Sequence, residues 1–415
     1  MRAAILRHTL RAMRSQWWPA RRIEVWQERA LVRTMRHAVT AVPFYRDLRI
    51  LPESVNRAED LQRFPIIVKR DLQRTPERFL AEGFDRRALH SSRTSGSTGE
   101  PTTTWFDRDA WALGKYALKI RRTLAVTSPW FHRCLIVSEQ PASGAARYEN
   151  ERPFKSGWLY AERVVSLFDE LDMHRRAIRE FRPDMLYAFP SYLLELKQAY
   201  ERAGERLPRI PLLFTSSEVL TEAARSAIEA AFGGRVFDIY GSTEFKEVAW
   251  QCEAGTYHLN FESVHAEVSP VSGTWLLTSL ANRAMPLLRF DTQDLGSLET
   301  STACACGRES PQLRIASGRE GEVMQLPSGR RLSPYLLTTI VETLPGVYQY
   351  RILHEQPSQL DIEIVAPHAL SREVLEECRA RLLEVLREAL DVTLRRVESL
   401  ERGVGGKHKV FVRRS

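Results

Sequence analysis

Residues 94–101 read Thr-Ser-Gly-Ser-Thr-Gly-Glu-Pro, and this run is the part of the chain that decides the fold prediction. It lies within residues 87–107, a segment rich in Ser, Thr and Gly that separates two periodic segments and is therefore predicted to be a loop. Small residues let the backbone turn tightly and present its N–H groups, and the hydroxyl groups add donors, as polyphosphate binding requires. The run is not a Walker A loop, because no Gly-Lys-Ser/Thr closes it. Taken alone, it is equally compatible with a plain linker.

The length and composition exclude several protein classes. A chain of 415 residues suggests two or three domains at about 150 residues each. With 43% hydrophobic and 27% charged residues, the composition is that of a globular protein and not of a disordered or fibrous one. The formal net charge of +8 favours anionic partners in general. Because most basic residues are arginines scattered among acids, we expect no nucleic acid partner.

The N-terminus is basic but lacks the features of a secretory signal peptide, since it has no apolar core of sufficient length and no cleavage site. No run of about 18 apolar residues occurs, so we expect no stable membrane insertion and a cytoplasmic location. An amphipathic surface helix with Ile5, Leu6, Leu10 and Met13 on one side is the alternative to a first helix that packs on its own domain.

Strands and helices alternate through the middle of the chain. Apolar runs at 134–139, 185–189, 211–216 and 235–241 are predicted strands, and 168–181, 191–203 and 221–232 are predicted helices. This alternation predicts an α/β domain with a mostly parallel sheet. Short strands after residue 247 indicate an antiparallel β subdomain. From about 326, the order helix, strand, strand, helix, strand predicts a small α+β domain of ferredoxin-like type. We therefore predict a large N-terminal domain over 1–320 and a small mobile C-terminal domain over 321–415.

Five motifs in a fixed order resemble those of the adenylate-forming superfamily, which includes acyl-CoA synthetases and adenylation domains. They are TSGSTGEP (94–101), FDIYGSTEF (237–245), RFDTQDLG (289–296), GRE (318–320) and GVGGKHKVF (403–411). Further stretches are similar to the branch that contains phenylacetate-CoA ligases and capsule-biosynthesis proteins: VPFYRD (42–47), FPIIVKRDL (64–72), SEVL (217–220) and CACGR (304–308). The resemblance covers residues 35 to 415.

The resemblance implies roles for individual residues. Glu244 would hold Mg²⁺, Thr243 would contact the α-phosphate of ATP, and Lys407 would supply the cation for the transition state, with Lys409 as its competitor. Asp294 would accept the ribose hydroxyls, because an ionised carboxylate offers two acceptor oxygens. The remaining residues expected to bind ATP or AMP are Thr94, Ser95, Gly96, Ser97, Thr98, Gly99, Ser217, Glu218, Tyr240 (beside the adenine), Gly241, Ser242 and Arg319.

Two positions depart from the family pattern. The hinge motif usually carries an acid shortly after its arginine, and here Arg319 is followed by Glu320, Gly321 and Glu322. The hinge acid is therefore Glu322, or Gly321 flexes in its place. Gln293 stands where many relatives have Gly.

The resemblance also places the acyl group between the central strands. The candidate lining residues are Phe189, Pro190, Ser191, Tyr192, Phe214 and Ser216. Their mixture of aromatic and hydroxyl groups suits an aromatic acid better than a long fatty chain. No carrier-protein motif follows, so the acceptor must be external: CoA, a carrier protein or an amine.

Four metal-ligating side chains are predicted to form a zinc site. Cys252 and His258 bracket a Gly-bearing turn, and Cys304 and Cys306 flank Ala305 in a tight knuckle. Three thiolates and an imidazole form a closed tetrahedral site of structural type, and some relatives in this branch carry zinc here. His265 could replace His258, and buried free thiols are the alternative interpretation.

Together these patterns predict an AMP-forming acid–thiol ligase that uses ATP, Mg²⁺ and CoA, with an aromatic carboxylic acid as substrate and a homodimer as one possible assembly. Two alternatives stay open at this point. One is an adenylating enzyme with a non-thiol acceptor, such as an amine, in capsule or natural-product assembly. The other is a catalytically silent nucleotide-binding protein.

Overall fold

The structure of the protein is a computed structural model. It describes residues 1–93, 102–127, 132–138, 160–167, 169–300, 303–319, 324–332, 334–401 and 408–413. The chain divides into two compact units: Met1–Pro129 with Ile239–Ile315, and Trp130–Asp238 with Ala316–Ser415. The domain boundary between residues 320 and 321 stays a prediction.

Helices occur in both units. In chain order the α-helices are α1 (Arg2–Ser15), α2 (Ala20–Ala41), α3 (Pro43–Arg46), α4 (Lys69–Arg74), α5 (Arg108–Trp111), α6 (Leu118–Val126), α7 (Leu171–Phe181), α8 (Pro190–Arg202), α9 (Glu222–Phe232), α10 (Tyr335–Val341) and α11 (Arg372–Leu386). A π-helix, Ala112–Ala117, joins α5 to α6. Within the described ranges, no helix is long and apolar enough to cross a bilayer.

Strands make up most of the remaining regular structure. In chain order they are β1 (His90–Arg93), β2 (Thr103–Phe106), β3 (His132–Ser138), β4 (Tyr160–Ser166), β5 (Met185–Ala188), β6 (Leu212–Ser216), β7 (Arg235–Ser242), β8 (Lys246–Gln251), β9 (Tyr257–Leu259), β10 (Val264–Val268), β11 (Thr274–Ser279), β12 (Phe290–Glu299), β13 (Gln312–Arg319), β14 (Met324–Gln325), β15 (Arg331–Leu332), β16 (Gln349–His354), β17 (Gln359–Val365), β18 (Asp391–Arg396) and β19 (Phe411–Arg413).

The first unit holds the predicted β subdomain. Neighbouring strands there follow the order β10-β11-β12-β13-β9-β8-β7, and the pairs β10/β11, β11/β12, β9/β13, β8/β9 and β7/β8 are antiparallel. β1 and β2 pair antiparallel as a separate two-stranded sheet, so the predicted loop over 87–107 is wrong for these two segments. The apolar faces of α2 and of these strands bury a common core that includes Leu31, Met35, Trp275, Leu277 and Phe290. Burial of such large side chains is the main stabilising contribution to this unit.

The second unit contains the parallel strands. β6, β5, β3 and β4 are neighbours in that order, and each of the pairs β5/β6, β3/β5 and β3/β4 is parallel. Crossover helices connect parallel strands, as the alternation predicts. Local signals set both ends of α9. At its start, the Thr221 hydroxyl accepts a hydrogen bond from the Ala224 N–H, and at its end Gly233 adopts the left-handed conformation at φ 61°.

The C-terminal part of the second unit forms a four-stranded sheet with α10 and α11. The strand order is β18-β17-β16-β19, in which β16/β17 are antiparallel and both β17/β18 and β16/β19 are parallel. The sequence predicts every element here except β19, because three residues after a Gly-rich run carry no strand pattern. The mixed α/β class and the small α+β part are thus as the sequence predicts.

Candidate functional site

The turn between β7 and β8 presents the Ser-Thr-Glu part of the second motif. The Ser242 hydroxyl accepts a hydrogen bond from the Phe245 N–H at 3.2 Å, which fixes the turn. Thr243 lies partly exposed within it, and Glu244 is buried at 8% exposure. The turn therefore presents a shielded carboxylate, the type of ligand that Mg²⁺ prefers.

Gly241 lets the two strands of this hairpin approach closely. Its register partner is Glu247, and the pairing shifts between Tyr240 and Gly241. A Cβ atom at Gly241 would lie 2.4 Å from the carbonyl oxygen of Lys246, a separation that no side chain tolerates. The motif glycine is thus required by the backbone of the hairpin itself.

Tyr240 and Asp294, which the sequence places on two separate motifs, meet in the first unit. The Tyr240 hydroxyl donates to Asp294 Oδ2 at 2.8 Å. Gln293, the residue before Asp294, has a left-handed backbone at φ 63°, and its N–H donates to Asp291 Oδ1 at 2.7 Å. A glycine adopts this conformation more easily, so Gln293 holds it at a cost in backbone strain.

Lys246 is a site residue that the sequence interpretation missed. Its ammonium group donates to the carbonyl oxygen of Thr243 at 3.3 Å. The same group lies 4.5 Å from the ring centroid of Phe106 and 5.0 Å from that of Trp111. A single lysine directly after a motif gives no sign of burial, so only the tertiary packing reveals it.

The surroundings of Lys246 disfavour the charged form of its side chain. Burial lowers the pKa of its ammonium group to about 7, the nearby Lys115 ammonium acts in the same direction, and the Glu244 carboxylate opposes both. Near pH 7 the amine of Lys246 is therefore divided between its charged and neutral forms, beside the predicted magnesium ligand.

The Glu218 carboxylate accepts several hydrogen bonds within the second unit. Its carboxylate accepts from the backbone N–H and the hydroxyl of Ser191, both at 2.9 Å. It also accepts from the backbone N–H of His408 at 3.1 Å. His408 is the neighbour of Lys407 in the sequence, so Glu218 ties the start of α8 to the residue after the predicted catalytic lysine.

Two adjacent serines lie at the end of β6, and the second has an unusual backbone. The Ser216 hydroxyl lies 2.6 Å from the Tyr187 hydroxyl and 3.4 Å from that of Ser217. Ser217 is left-handed at φ 71°. The hydroxyls therefore form a short polar chain at this strand end.

The aromatic residues predicted to line the acyl site are buried in the second unit. Phe189 and Tyr192 belong to its apolar core, and Phe214 is 1% exposed. The Tyr192 hydroxyl pairs with His174 Nδ1 at 3.0 Å, so its polar end is used in packing. Pro190 opens α8 at its first turn. A lining role for these residues stays a prediction.

Several predicted residues lie outside the described part of the chain. They are Thr94, Ser95, Gly96, Ser97, Thr98, Gly99, Glu320, Gly321, Glu322 and Lys407. The backbone of Arg319 ends β13. Lys409 is described and partly buried.

The four predicted metal ligands come together in the first unit. The Sγ atoms of Cys252, Cys304 and Cys306 and a ring nitrogen of His258 all lie within 4.8 Å of one another. Cys252 Sγ is 3.7 Å from Cys304 Sγ, and Cys306 Sγ is 3.3 Å from His258 Nε2. A donor set of three soft sulfurs and one imidazole suits zinc. His265 lies outside this cluster, which removes it as the alternative ligand.

The surroundings of His258 prepare it to be a ligand. Its Nδ1 lies 3.0 Å from the Ser310 hydroxyl, which leaves Nε2 facing the thiols. Burial, and then the positive charge of Arg308, lower the pKa of His258 to about 4, so the ring is neutral. Burial raises the pKa of the Cys252 thiol to about 12, so a cation is needed to hold the thiolate.

Comparison with known proteins identifies relatives along nearly the whole chain. No family model matches it. The phenylacetate-coenzyme A ligase of Thermus thermophilus is 26% identical over 426 residues, covering 91% of this chain and 92% of that protein. That of Escherichia coli is 26% identical over 427 residues, covering 94% of each. Among solved structures, 2-hydroxyisobutyryl-CoA ligase in the postadenylation state with R3-HIB-AMP aligns with a TM-score of 0.76 at 19% identity, covering 96% of this chain and 91% of that one.

These comparisons confirm two predictions. The resemblance to phenylacetate-CoA ligases that the motifs indicate extends over more than nine-tenths of the chain in two relatives. The mixed α/β fold is similar to that of 2-hydroxyisobutyryl-CoA ligase.

Proposed function

We propose that this chain is an ATP-dependent, AMP-forming acid–thiol ligase that activates an aromatic carboxylic acid and transfers it to CoA. The hydrogen bond between Tyr240 and Asp294 is the observation that carries the proposal. It joins two motifs that are 54 residues apart and orients a carboxylate next to an aromatic ring. An aromatic face and a two-oxygen acceptor side by side suit a nucleoside, whose base stacks and whose ribose donates two hydroxyl hydrogen bonds.

The first half-reaction requires positioning more than covalent chemistry. A carboxylate oxygen of the acid attacks the α-phosphorus, the bond to the bridging oxygen breaks, and pyrophosphate leaves. Asp294 holds the ribose, Thr243 contacts the α-phosphate and Glu244 is the residue that would hold Mg²⁺. When bound, the cation neutralises charge on the phosphate oxygens. Lys407 would add a second positive charge at the same oxygens.

The second half-reaction moves the acyl group. The thiolate of CoA attacks the acyl carbon, the bond to the phosphate-linked oxygen breaks, and AMP leaves with that oxygen. The names of the relatives support CoA as acceptor and an aromatic acid as substrate, since four of them are phenylacetate-coenzyme A ligases. A carrier-protein or amine acceptor, a homodimer and a cytoplasmic location stay predictions, as does the boundary at 320/321 with its hinge at Gly321 or Glu322.

Zinc has a structural part in this proposal. Cys252, Cys304, Cys306 and His258 would use all four tetrahedral positions, so the ion would have none left for a reactant. The cluster would stabilise the fold and take no part in the reaction.

The test is ATP–pyrophosphate exchange with Mg²⁺ against aromatic, aliphatic and amino acids, first without CoA. We expect exchange with aromatic acids, followed by a CoA thioester detected by mass spectrometry when CoA is added. Exchange without thioester would reject CoA as acceptor. The absence of exchange with every acid would reject the adenylating activity.

A further inference from the structure

Lys246 lies where two departures from regular backbone coincide. Its own backbone is left-handed at φ 65°, a conformation rare for a long side chain. The helix facing it is a π-helix, Ala112–Ala117, a form that occurs frequently at functional sites. Gly114 in that helix leaves space for the lysine, because a Cβ atom there would lie 3.3 Å from Lys246 Cβ and Cγ. The position of the Lys246 side chain therefore depends on backbone conformations that are locally strained.

The ammonium group of Lys246 has fewer partners than it can serve. An ammonium has three donors, and among the described residues only the Thr243 carbonyl accepts from it. The rings of Phe106 and Trp111, at 4.5 and 5.0 Å, hold the cation by their faces. In the described part of the chain, no carboxylate lies within 4.0 Å of it, Glu244 included. The ammonium group therefore has a fixed position and makes fewer hydrogen bonds to described residues than its three donors allow.

A second cation reaches the same ring. The Lys115 ammonium lies 4.7 Å from the Trp111 centroid, and His90 stacks on Trp111 at 4.9 Å with an interplanar angle of 8°. Two ammonium groups around one indole repel each other more strongly in a partly buried site than in water. An anion bound between them would remove this repulsion.

The elements around Lys246 indicate which anion this is. Phe106 ends β2, the strand that follows the Ser/Thr/Gly run 94–101, and Thr243 belongs to the turn that carries the proposed α-phosphate and magnesium residues. We propose that Lys246 is a phosphate-binding residue, whose ammonium takes an oxygen of the ATP polyphosphate. This inference rests on the proposed function and adds a residue to that site.

The test compares nucleotide binding with the phosphate present and absent. Lys246→Met keeps the length and apolar contacts of the stem and removes the charge. Since hydrogen bonds to charged groups contribute about 1.5–3 kcal/mol, we expect ATP affinity by calorimetry to fall roughly 10- to 100-fold, while adenosine affinity is unchanged. In the exchange assay, the KM for ATP should rise and the KM for the acid should not. Lys246→Arg should restore part of the ATP affinity, and Lys119→Met, on α6 in the same unit and outside every motif, serves as the control.

Two results would overturn the proposal. One is unchanged ATP affinity in a folded Lys246→Met protein, and the other is a higher KM for the acid with unchanged ATP affinity, which would assign the lysine to the substrate carboxylate. Thermal unfolding checks the fold, and Lys246→Gln replaces the methionine variant if that variant does not fold. If the parent protein catalyses no exchange, the proposed function fails, but the comparison of ATP with adenosine still decides the role of Lys246.

Discussion

The cysteine–histidine cluster allows a quantitative prediction for Cys304→Ser. The substitution replaces a soft thiolate ligand by a hydroxyl that binds zinc poorly, and it leaves Cys252, Cys306 and His258 in place. Because Cys304 is half-exposed in its turn, the change itself removes little packing. A loss of stability would therefore come from the loss of the metal cross-link.

The size of that loss follows from the chain that the cross-link closes. Cys252 and Cys304 are 52 residues apart in the sequence, and their sulfurs are 3.7 Å apart. If the metal constrains the unfolded chain as a disulfide of that span does, the link contributes about 4 kcal/mol. For a unit of this size, a loss of about 4 kcal/mol lowers the melting temperature by roughly 8–16 °C.

The assay combines elemental analysis with thermal unfolding. We expect Cys304→Ser to lose bound zinc and to melt at the lower temperature, and we expect a chelator to destabilise the parent protein but not the variant. Cys378→Ser is the control, because Cys378 is buried on α11 in the second unit and should change neither the zinc content nor the response to chelator. Equal zinc content in the Cys304→Ser and parent proteins would refute the metal site.

Three further predictions concern separate residues. Tyr240→Phe keeps the ring and removes the 2.8 Å hydrogen bond to Asp294, so the KM for ATP should rise about 5-fold, while Asp294→Asn should raise it roughly 10- to 100-fold; equal values in parent and variants would contradict the ribose role. Glu218→Gln puts an amide donor against donors of Ser191 and His408, so adenylation should slow roughly 10- to 100-fold while thioester formation from a supplied acyl adenylate is unchanged; equal slowing of both steps would contradict a positioning role toward Lys407. Burial lowers the pKa of His265 to about 4, so protonation of this ring opposes folding, and the free energy of unfolding falls as the pH drops from about 6.5 to 4. His265→Asn should remove on the order of 3 kcal/mol of that fall, measured by denaturant titration at each pH. Parallel pH profiles in parent and variant would exclude the effect.

The sequence predicts the architecture well where patterns are local and repeated. Strand and helix alternation gives β5, β6 and β7 and the helices between them within a few residues of their bounds. The C-terminal sheet follows in the same way, except for β19, whose three residues become a strand only because β16 offers a free edge. Edge pairing of this kind is a tertiary effect that no local pattern contains.

The site is predictable only in part, for a related reason. Motifs identify Tyr240 and Asp294, and Cys252 with its three partners, because the chemistry of nucleotide and metal binding restricts residue types. Motifs do not reveal which side chains and backbone groups these residues contact. The burial of Lys246 depends on a π-helix, and the hydrogen bonds of Glu218 depend on how β6 and α8 pack. Tyr192 is predicted to line the acyl site, and the structure adds that its hydroxyl pairs with His174 Nδ1 within the core, a contact that no motif indicates.

Left-handed backbone conformations give evidence about the site that does not depend on sequence motifs. Arg182 and Arg387 adopt a left-handed conformation because they end helices, which is an ordinary reason. Ser217, Lys246 and Gln293 have no helix to end, yet each lies one or two residues from Glu218, Glu244 or Asp294. Such conformations cost about 1–3 kcal/mol each and persist where the surroundings over-determine them. Of the other left-handed residues, Arg289 also lies in a motif and Arg49 does not. Left-handed backbone therefore coincides with motif segments at most of these positions, and Lys246 lies just beyond the motif beside it.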